Sequence, residues 1–243
     1  MDALDMEQGS ERWLGVRLGR PTGSMFKKIV TGTGKAVASI GRTTYMAELL
    51  NERLIGIDII QEEHYVSEAM ERGTELEPQA RGWYEKKQDV KVDEVGFVYA
   101  LDGRCGVSPD GLVSNRGGVE IKCPSSANHV KHLAAGAVPK DWIVQIHGCI
   151  WACNRKWWDF VCYNDNENIP SMVVRVMRDE VMCLAFDSYM PAFCDELDAL
   201  EIRIRKEYGL QPRKDIELDK LNPVFMTEEM NIMAMEEMGV NEL

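Results

Sequence analysis

Alternation with a period of two is clearest between Val95 and Lys122. Val95–Ala100 and Arg104–Val107 read as strands, and residues 106–124 (GVSPDGLVSNRGGVEIKCP) read as a β-hairpin whose turn is assigned to Gly117 and Gly118. Side chains alternate along a strand, so Val119 and Ile121 fall on one face and Glu120 and Lys122 on the other. Two further strands are predicted at Lys156–Tyr163 and Met172–Met177. Helical spacing predicts Ser10–Leu18 with Ser10 as N-cap, a second helix opening near Met25, and Arg42–Ile55 with Tyr45, Leu49, Leu50 and Leu54 as its apolar positions. Val66–Lys87 reads as a long helix with a break near Gly73 or Pro78. Asn128–Ala135, Lys140–Cys153 and Asp179–Tyr208 follow, the last with a kink or second start at Pro191. Strands interleaved with helices predict an α/β fold with a central mixed sheet flanked by helices.

Composition adds boundaries. The 243 residues suit one main domain over residues 1–208. Residues 209–243 form an extension with eight acidic against three basic residues and a cluster of methionines, docked on the domain or binding a partner. Seven cysteines at irregular spacing argue for a reducing compartment such as the cytoplasm, and Cys149 with Cys153 reads as core packing. No apolar run approaches the roughly 18 residues of a membrane span, and the acidic start MDALDMEQGSE does not read as a signal peptide. The Gly-rich Thr31–Ser39 departs from the P-loop pattern and reads as a mobile loop. The net charge of −12 counts modestly against a nucleic-acid partner, but it does not describe a local cleft.

Candidate chemistry lies in the hairpin. Asp110 follows Ser108-Pro109, and Glu120 and Lys122 share a strand face. Two carboxylates suit a hard divalent cation. Such a cation polarises a phosphate and lowers the pKa of an attacking water, and an adjacent ammonium orients that water or offsets developing charge. The set points to phosphodiester hydrolysis. A bare Glu-x-Lys is more often a solvated hairpin edge, and the flanking residues change that weighing. Upstream, the Thr22 and Ser24 hydroxyls at a helix start form a candidate phosphate cradle, with Arg17 adding a fork. An ordinary capped turn with a surface arginine is the other reading. Glu77 with Arg81 at i+4 is a common surface pair, and Met70 reads equally well as core.

Asp110, Glu120 and Lys122, at this spacing, resemble the PD-(D/E)xK nuclease signature, and SPDGL followed by GVEIKCP resembles the lambda exonuclease family. Further matches stand in the family's order: Trp13 to Gly19 with Thr22-Gly23-Ser24, Arg72 to Glu77, Gln145 with His147, and Asp159-Phe160. The resemblance implies a restriction-endonuclease-like core and a Mg²⁺-dependent 5′–3′ exonuclease, with Mn²⁺ able to substitute. It implies degradation of one strand of linear double-stranded DNA from 5′-phosphorylated ends to mononucleotides, leaving a 3′ overhang. It implies a ring-shaped homotrimer, a single-strand-annealing partner and a phage or prophage gene in a bacterial host.

Residue by residue, the resemblance assigns metal ligation to Asp110, Glu120 and the carbonyl of Ile121, and positioning of water to Lys122. Glu77 and Gln145 would support. Arg17, Thr22 and Ser24 would hold the 5′-phosphate, and Met70 would wedge the strands apart. His147 stands where the family has a second glutamine, so contact with substrate and simple packing are both open for it. His129, Lys131 and His132 face either DNA or solvent. An endonuclease of the same fold and a DNA-binding or assembly module without turnover are the alternatives. The intact Asp110, Glu120 and Lys122 argue against the module, and the end-binding residues argue against the endonuclease.

Overall fold

The computed structural model describes residues 3–61 and 68–212. In chain order the strands are β1 (Ala3–Leu4), β2 (Val92–Asp93), β3 (Phe97–Ala100), β4 (Cys105–Val107), β5 (Gly111–Val113), β6 (Gly117–Lys122), β7 (Trp157–Cys162) and β8 (Met172–Met177). The helices are α1 (Glu11–Arg17), α2 (Ile40–Ile55), α3 (Glu68–Gln88), α4 (Ser126–Ala135), α5 (Lys140–Ala152) and α6 (Glu180–Tyr208). A mixed sheet runs β2-β5-β6-β7-β8, and a small antiparallel sheet runs β1-β3-β4. The second sheet was not foreseen, because β1 is two residues long and too short to carry a period.

Within the mixed sheet only β6 and β7 are parallel. Parallel neighbours need a crossover, and α4 and α5 supply it. The register pairs Glu120 with Phe160 and Lys122 with Cys162, and pairs Val119 with Asp159 and Ile121 with Val161. Two cores follow from this alternation. Ala80 and Tyr84 of α3 pack with Val119, Ile121 and Val161 on one face. Phe26, Val144, Ile146, Trp158, Phe160 and Phe186 fill the other, between the sheet, α5 and α6. Glu120 therefore sits on a face that is otherwise a hydrophobic core.

Several expectations change. The hairpin turn is made by Ser114 to Arg116, with Ser114 at φ 52°, and Gly117 and Gly118 belong to β6. Their role is close approach: a Cβ on Gly117 would stand 2.2 Å from the Trp157 ring, and one on Gly118 2.4 Å from Trp158. Helix α3 runs through Gly73 and Pro78 without the expected break, and α6 runs through Pro191. In both cases burial of the helix face against the body outweighs the local cost of one proline. The helix expected near Met25 is a six-residue 3₁₀ turn, Gly23–Lys28. In the Gly-rich segment, Thr31 N donates to Lys35 O at 2.8 Å and Val37 N to Ile29 O at 2.8 Å. Helix α6 ends at Gly209, whose φ of 66° caps it. Most of the expected extension, residues 213–243, lies outside the described residues.

Candidate active site

Asp110 stands immediately before β5, where the chain leaves Pro109, and its carboxylate accepts the Ile121 N–H at 2.6 Å. That bond joins the base of the hairpin to the far end of β6. Alternation on β6 then delivers Glu120 and Lys122 to the same side. Lys122 Nζ lies 2.5 Å from Glu120 Oε1, 3.7 Å from Asp110 Oδ2 and 3.0 Å from the Ile121 carbonyl. From α5, Gln145 Nε2 donates to Glu120 Oε1 at 2.7 Å. Glu120 is wholly buried, and its other oxygen, Oε2, has no hydrogen-bond partner among the described residues. A buried carboxylate oxygen without a donor is costly.

The electrostatics follow from this crowding. Burial pushes the Glu120 carboxyl up from the usual range, and the charge of Asp110 adds to the shift against the pull of Lys122. Glu77, on α3, is pushed up by burial and by Asp110, while Arg81 and Lys122 pull it down. Its carboxylate takes a 2.6 Å bond from Arg81, so the i, i+4 pair and the proximity to the acids are both present. Burial acts to lower Lys122, but the charges of Glu120 and Asp110 outweigh it and hold the ammonium above its ordinary range.

These residues fit a divalent metal. Three oxygen-bearing groups, Asp110, Glu120 and the Ile121 carbonyl, converge on one positive charge, and the Lys122 ammonium stands in for it. The orphaned Glu120 Oε2 is a further oxygen donor at the same point. Among the described residues no three His, Cys, Asp or Glu side chains cluster for a metal, so a site here needs the backbone carbonyl. All the donors are hard oxygens, the set that Mg²⁺ or Mn²⁺ takes.

A second group of residues lies two positions before Asp110. Ser108 Oγ accepts from Arg17 Nη1 at 2.9 Å and from Trp13 Nε1 at 2.9 Å, and the Arg17 guanidinium stacks 4.0 Å over the Trp13 ring. With its lone pairs engaged, the Ser108 hydroxyl keeps one hydrogen to donate. Burial pulls the Arg17 guanidinium down to about 10, although Tyr45 and Glu52 act the other way. Arg17, Thr22 and Ser24 line a cavity of about 330 Å³ together with Glu48 and Glu52. Glu52 is engaged there by the Gly19 N–H at 2.7 Å. Ser24 is exposed, while Thr22 is buried and its N–H donates to Tyr45 Oη at 3.1 Å. Ser108 and Trp13 were not singled out from the sequence as site residues. The only local signal for Ser108 was its place two residues before Asp110, and Arg17 is 91 positions away.

Other candidates lie elsewhere. His147 is two residues beyond Gln145, about 200° around a helix. It is buried, its Nδ1 has no partner, and its pKa is lowered by burial and raised by Asp179 at the start of α6. The structure does not bring it to Glu120. His129 is fully buried, with Nε2 2.9 Å from Pro170 O and Nδ1 3.2 Å from Cys162 Sγ, so it faces neither DNA nor solvent. Met70 lies in the first turn of α3, and its side chain is outside the described residues.

A mixed sheet with two acids and a lysine at the ends of adjacent strands defines a metal-dependent nuclease core. Residues 12–156 match the YqaJ-like viral recombinase domain, and the chain belongs to that family, whose lambda exonuclease-like members are DNA nucleases. Its fold is similar to the crystal structure of an alkaline exonuclease (LHK-Exo) from Laribacter hongkongensis, at 31% identity and a TM-score of 0.71, covering 82% of this chain and 98% of that one. The structure of LHK-Exo in complex with dAMP gives 32% identity, the same TM-score and the same coverage. No curated protein matches the sequence. The chain is thus a phosphodiester hydrolase acting on DNA with a divalent metal. Among the described residues no helix is long and apolar enough to cross a membrane.

Proposed function

We propose that this chain is a Mg²⁺-dependent 5′–3′ exonuclease that degrades one strand of linear double-stranded DNA from 5′-phosphorylated ends, releasing 5′-mononucleotides and leaving a 3′ overhang. The observation that carries the reading is the placement of Ser108 and Asp110. One short segment after β4 presents Ser108 to Arg17 and Asp110 to Lys122, so an anion pocket and the acidic pair are held two residues apart. An enzyme that reads the terminal phosphate before cutting the adjacent linkage needs that adjacency.

In this reading Asp110, Glu120 and the Ile121 carbonyl hold the metal. When bound, the metal polarises the scissile phosphate and acidifies a water. Gln145 fixes the Glu120 carboxylate by its 2.7 Å bond. Lys122, released from its contacts with the acids, positions the water and offsets charge on the phosphate. Glu77 adds an acid that holds a proton more readily than an ordinary carboxylate. Arg17, Ser24 and the Ser108 hydroxyl grip the 5′-phosphate, with Thr22 shaping the pocket wall. Trp13 orients both Arg17 and Ser108. Met70 remains the proposed wedge, and His147 is assigned to packing. A ring-shaped homotrimer and a single-strand-annealing partner complete the proposal, with the phage or prophage gene product acting in the bacterial cytoplasm.

The test is a linear duplex labelled at one 5′ end beside a covalently closed circle, each with Mg²⁺ and then with EDTA. Labelled mononucleotide released from the linear DNA alone, and only with Mg²⁺, is the expected result. Cutting of the circle would replace the proposal with an endonuclease, and no cutting of either with a binding module.

A further inference from the structure

At the end of the β6–β7 pair remote from Asp110 and Lys122, a cleft of about 500 Å³ opens beside the β5–β6 turn. Its polar lining includes Gln88, Lys91, Asp93, Arg116 and Arg175, and Trp157 forms one wall. The construction of that wall is unusual. Asp159 is 1% exposed and takes both a 2.7 Å bond from Tyr84 Oη and a paired fork from Arg175, 2.8 Å from Nε and 2.8 Å from Nη2. The Arg175 guanidinium carbon lies 3.8 Å from the centre of the Trp157 ring, and Gly117 approaches the same ring so closely that a Cβ there would stand 2.2 Å from it.

Burying a carboxylate to hold an arginine adds little stability by itself. What it does here is fix a guanidinium in one orientation at a surface where its side chain is 47% exposed. Arginine has five N–H donors, and Asp159 takes two of them. The Tyr84 hydroxyl also hydrogen-bonds the guanidinium, and its remaining donors have no further partner among the described residues. Arg116, at the tip of the turn, is exposed and has no acidic partner among the described residues. Lys91 is paired with Asp93 at 3.0 Å and Arg175 with Asp159, so Arg116 is the cleft cation without an acidic partner among the described residues. A cation held over an aromatic ring is a stacking platform for a base, and the fork of Arg116 with the remaining donors of Arg175 suits a phosphate.

We propose that this cleft binds a nucleotide unit, with the phosphate on Arg116 and Arg175 and the base against the Arg175–Trp157 stack. The proposal rests on the reading of the chain as a DNA hydrolase, which supplies nucleotides in two forms, as a linked strand and as free product. The cleft is separate from the catalytic acids. Gly117 and Lys122 mark the two ends of β6, about 16 Å apart at the rise of a strand, and Glu77 and Gln88 on α3 are separated by a similar length. That span corresponds to about five stacked nucleotides.

The experiment measures equilibrium binding of a short fluorescent oligothymidine, and of dAMP, to the intact protein in EDTA across a salt series. Arg116→Ala is the primary variant, because the side chain is exposed and removing it leaves no buried charge. Its expected effect is a roughly tenfold loss of oligonucleotide affinity and a fall of about one in the slope of log affinity against log salt. Arg116→Lys should restore the slope but only part of the affinity, since it keeps the charge and loses the fork. Loss for the oligonucleotide alone assigns the cleft to a linked strand, and loss for dAMP as well assigns it to free nucleotide; either supports the proposal. Unchanged binding of both ligands would overturn it. Mg²⁺-dependent hydrolysis of linear duplex by the unaltered protein is followed in parallel. Failure there with the Arg116 effect intact sinks the hydrolase reading alone, and intact hydrolysis with unchanged Arg116→Ala binding sinks the cleft alone.

Discussion

Two of the places where the molecule buries charge are built differently. At the junction of α2 and α6, Arg53 donates to Gly19 O at 2.7 Å, Asp198 at 2.7 Å and Glu201 at 3.2 Å, while Arg205 bonds Glu201 and the Arg53 carbonyl. Arg104 reaches Asp195 and Asp198 from the turn before β4. Each acid there has an arginine, and the Asp198 carboxyl, despite burial working to raise it, is held low by Arg53 and Arg104. At the end of β6 the balance is reversed. Asp110, Glu120 and Glu77 share Lys122, Arg81 is the other cation, and Glu120 Oε2 is left without a donor. A satisfied network reads as structural, and a crowded, incompletely satisfied one reads as a site awaiting a ligand.

The comparison breaks most sharply at the acids. Asp110→Ala or Glu120→Gln is expected to reduce hydrolysis of linear duplex by on the order of 10³-fold, because the metal's share of charge stabilisation is lost. End binding measured in EDTA should be unchanged; retained turnover would remove these residues from the metal site. Arg53→Ala should do the opposite. It leaves Glu201 with Arg205 alone and removes the donor to the Gly19 carbonyl, and is expected to cost about 2 kcal/mol of stability in urea melts, with activity per folded molecule little altered. A loss of turnover without a loss of stability would show that the α2–α6 network reaches the chemistry.

Arg17→Ala sharpens the assignment of the anion pocket. Losing a charge-assisted fork is expected to lower the preference for 5′-phosphorylated over 5′-hydroxyl ends roughly ten- to a hundredfold. An unchanged ratio would count against the pocket. The smallest effect is the most diagnostic of the comparison itself. Glu120→Gln removes a buried charge that its surroundings disfavour, so the metal-free protein should melt about 2–4 °C higher, equivalent to about 1 kcal/mol. A lower melting temperature would mean that the acid cluster stabilises the fold, as the Arg53 network does.

Much of this was legible in the chain. The alternation Val119-Glu120-Ile121-Lys122 placed two residues in a core and two in a site, because a strand's period of two operates within a few residues. Ser10 caps α1 by accepting from Trp13 N at 3.2 Å, and Asp179 caps α6, both as local chemistry dictates. The same local logic misplaced the turn. Gly117-Gly118 has the composition of a turn, but the residues that require those glycines are Trp157 and Trp158, forty positions on.

The sequence by itself determined the α/β class, the long helices, the face on which Glu120 and Lys122 lie, and the spacing that brings Asp110 beside them. These are decided by short-range periodicity and by one hairpin. Only the tertiary structure decided that Ser108 meets Arg17 and Trp13, that Gln145 reaches Glu120 while His147 turns away, and that Asp159 pins Arg175 onto Trp157. Each of these depends on which distant segments pack together. That packing is set by burial summed over the whole core, so the residues flanking any one position do not carry it.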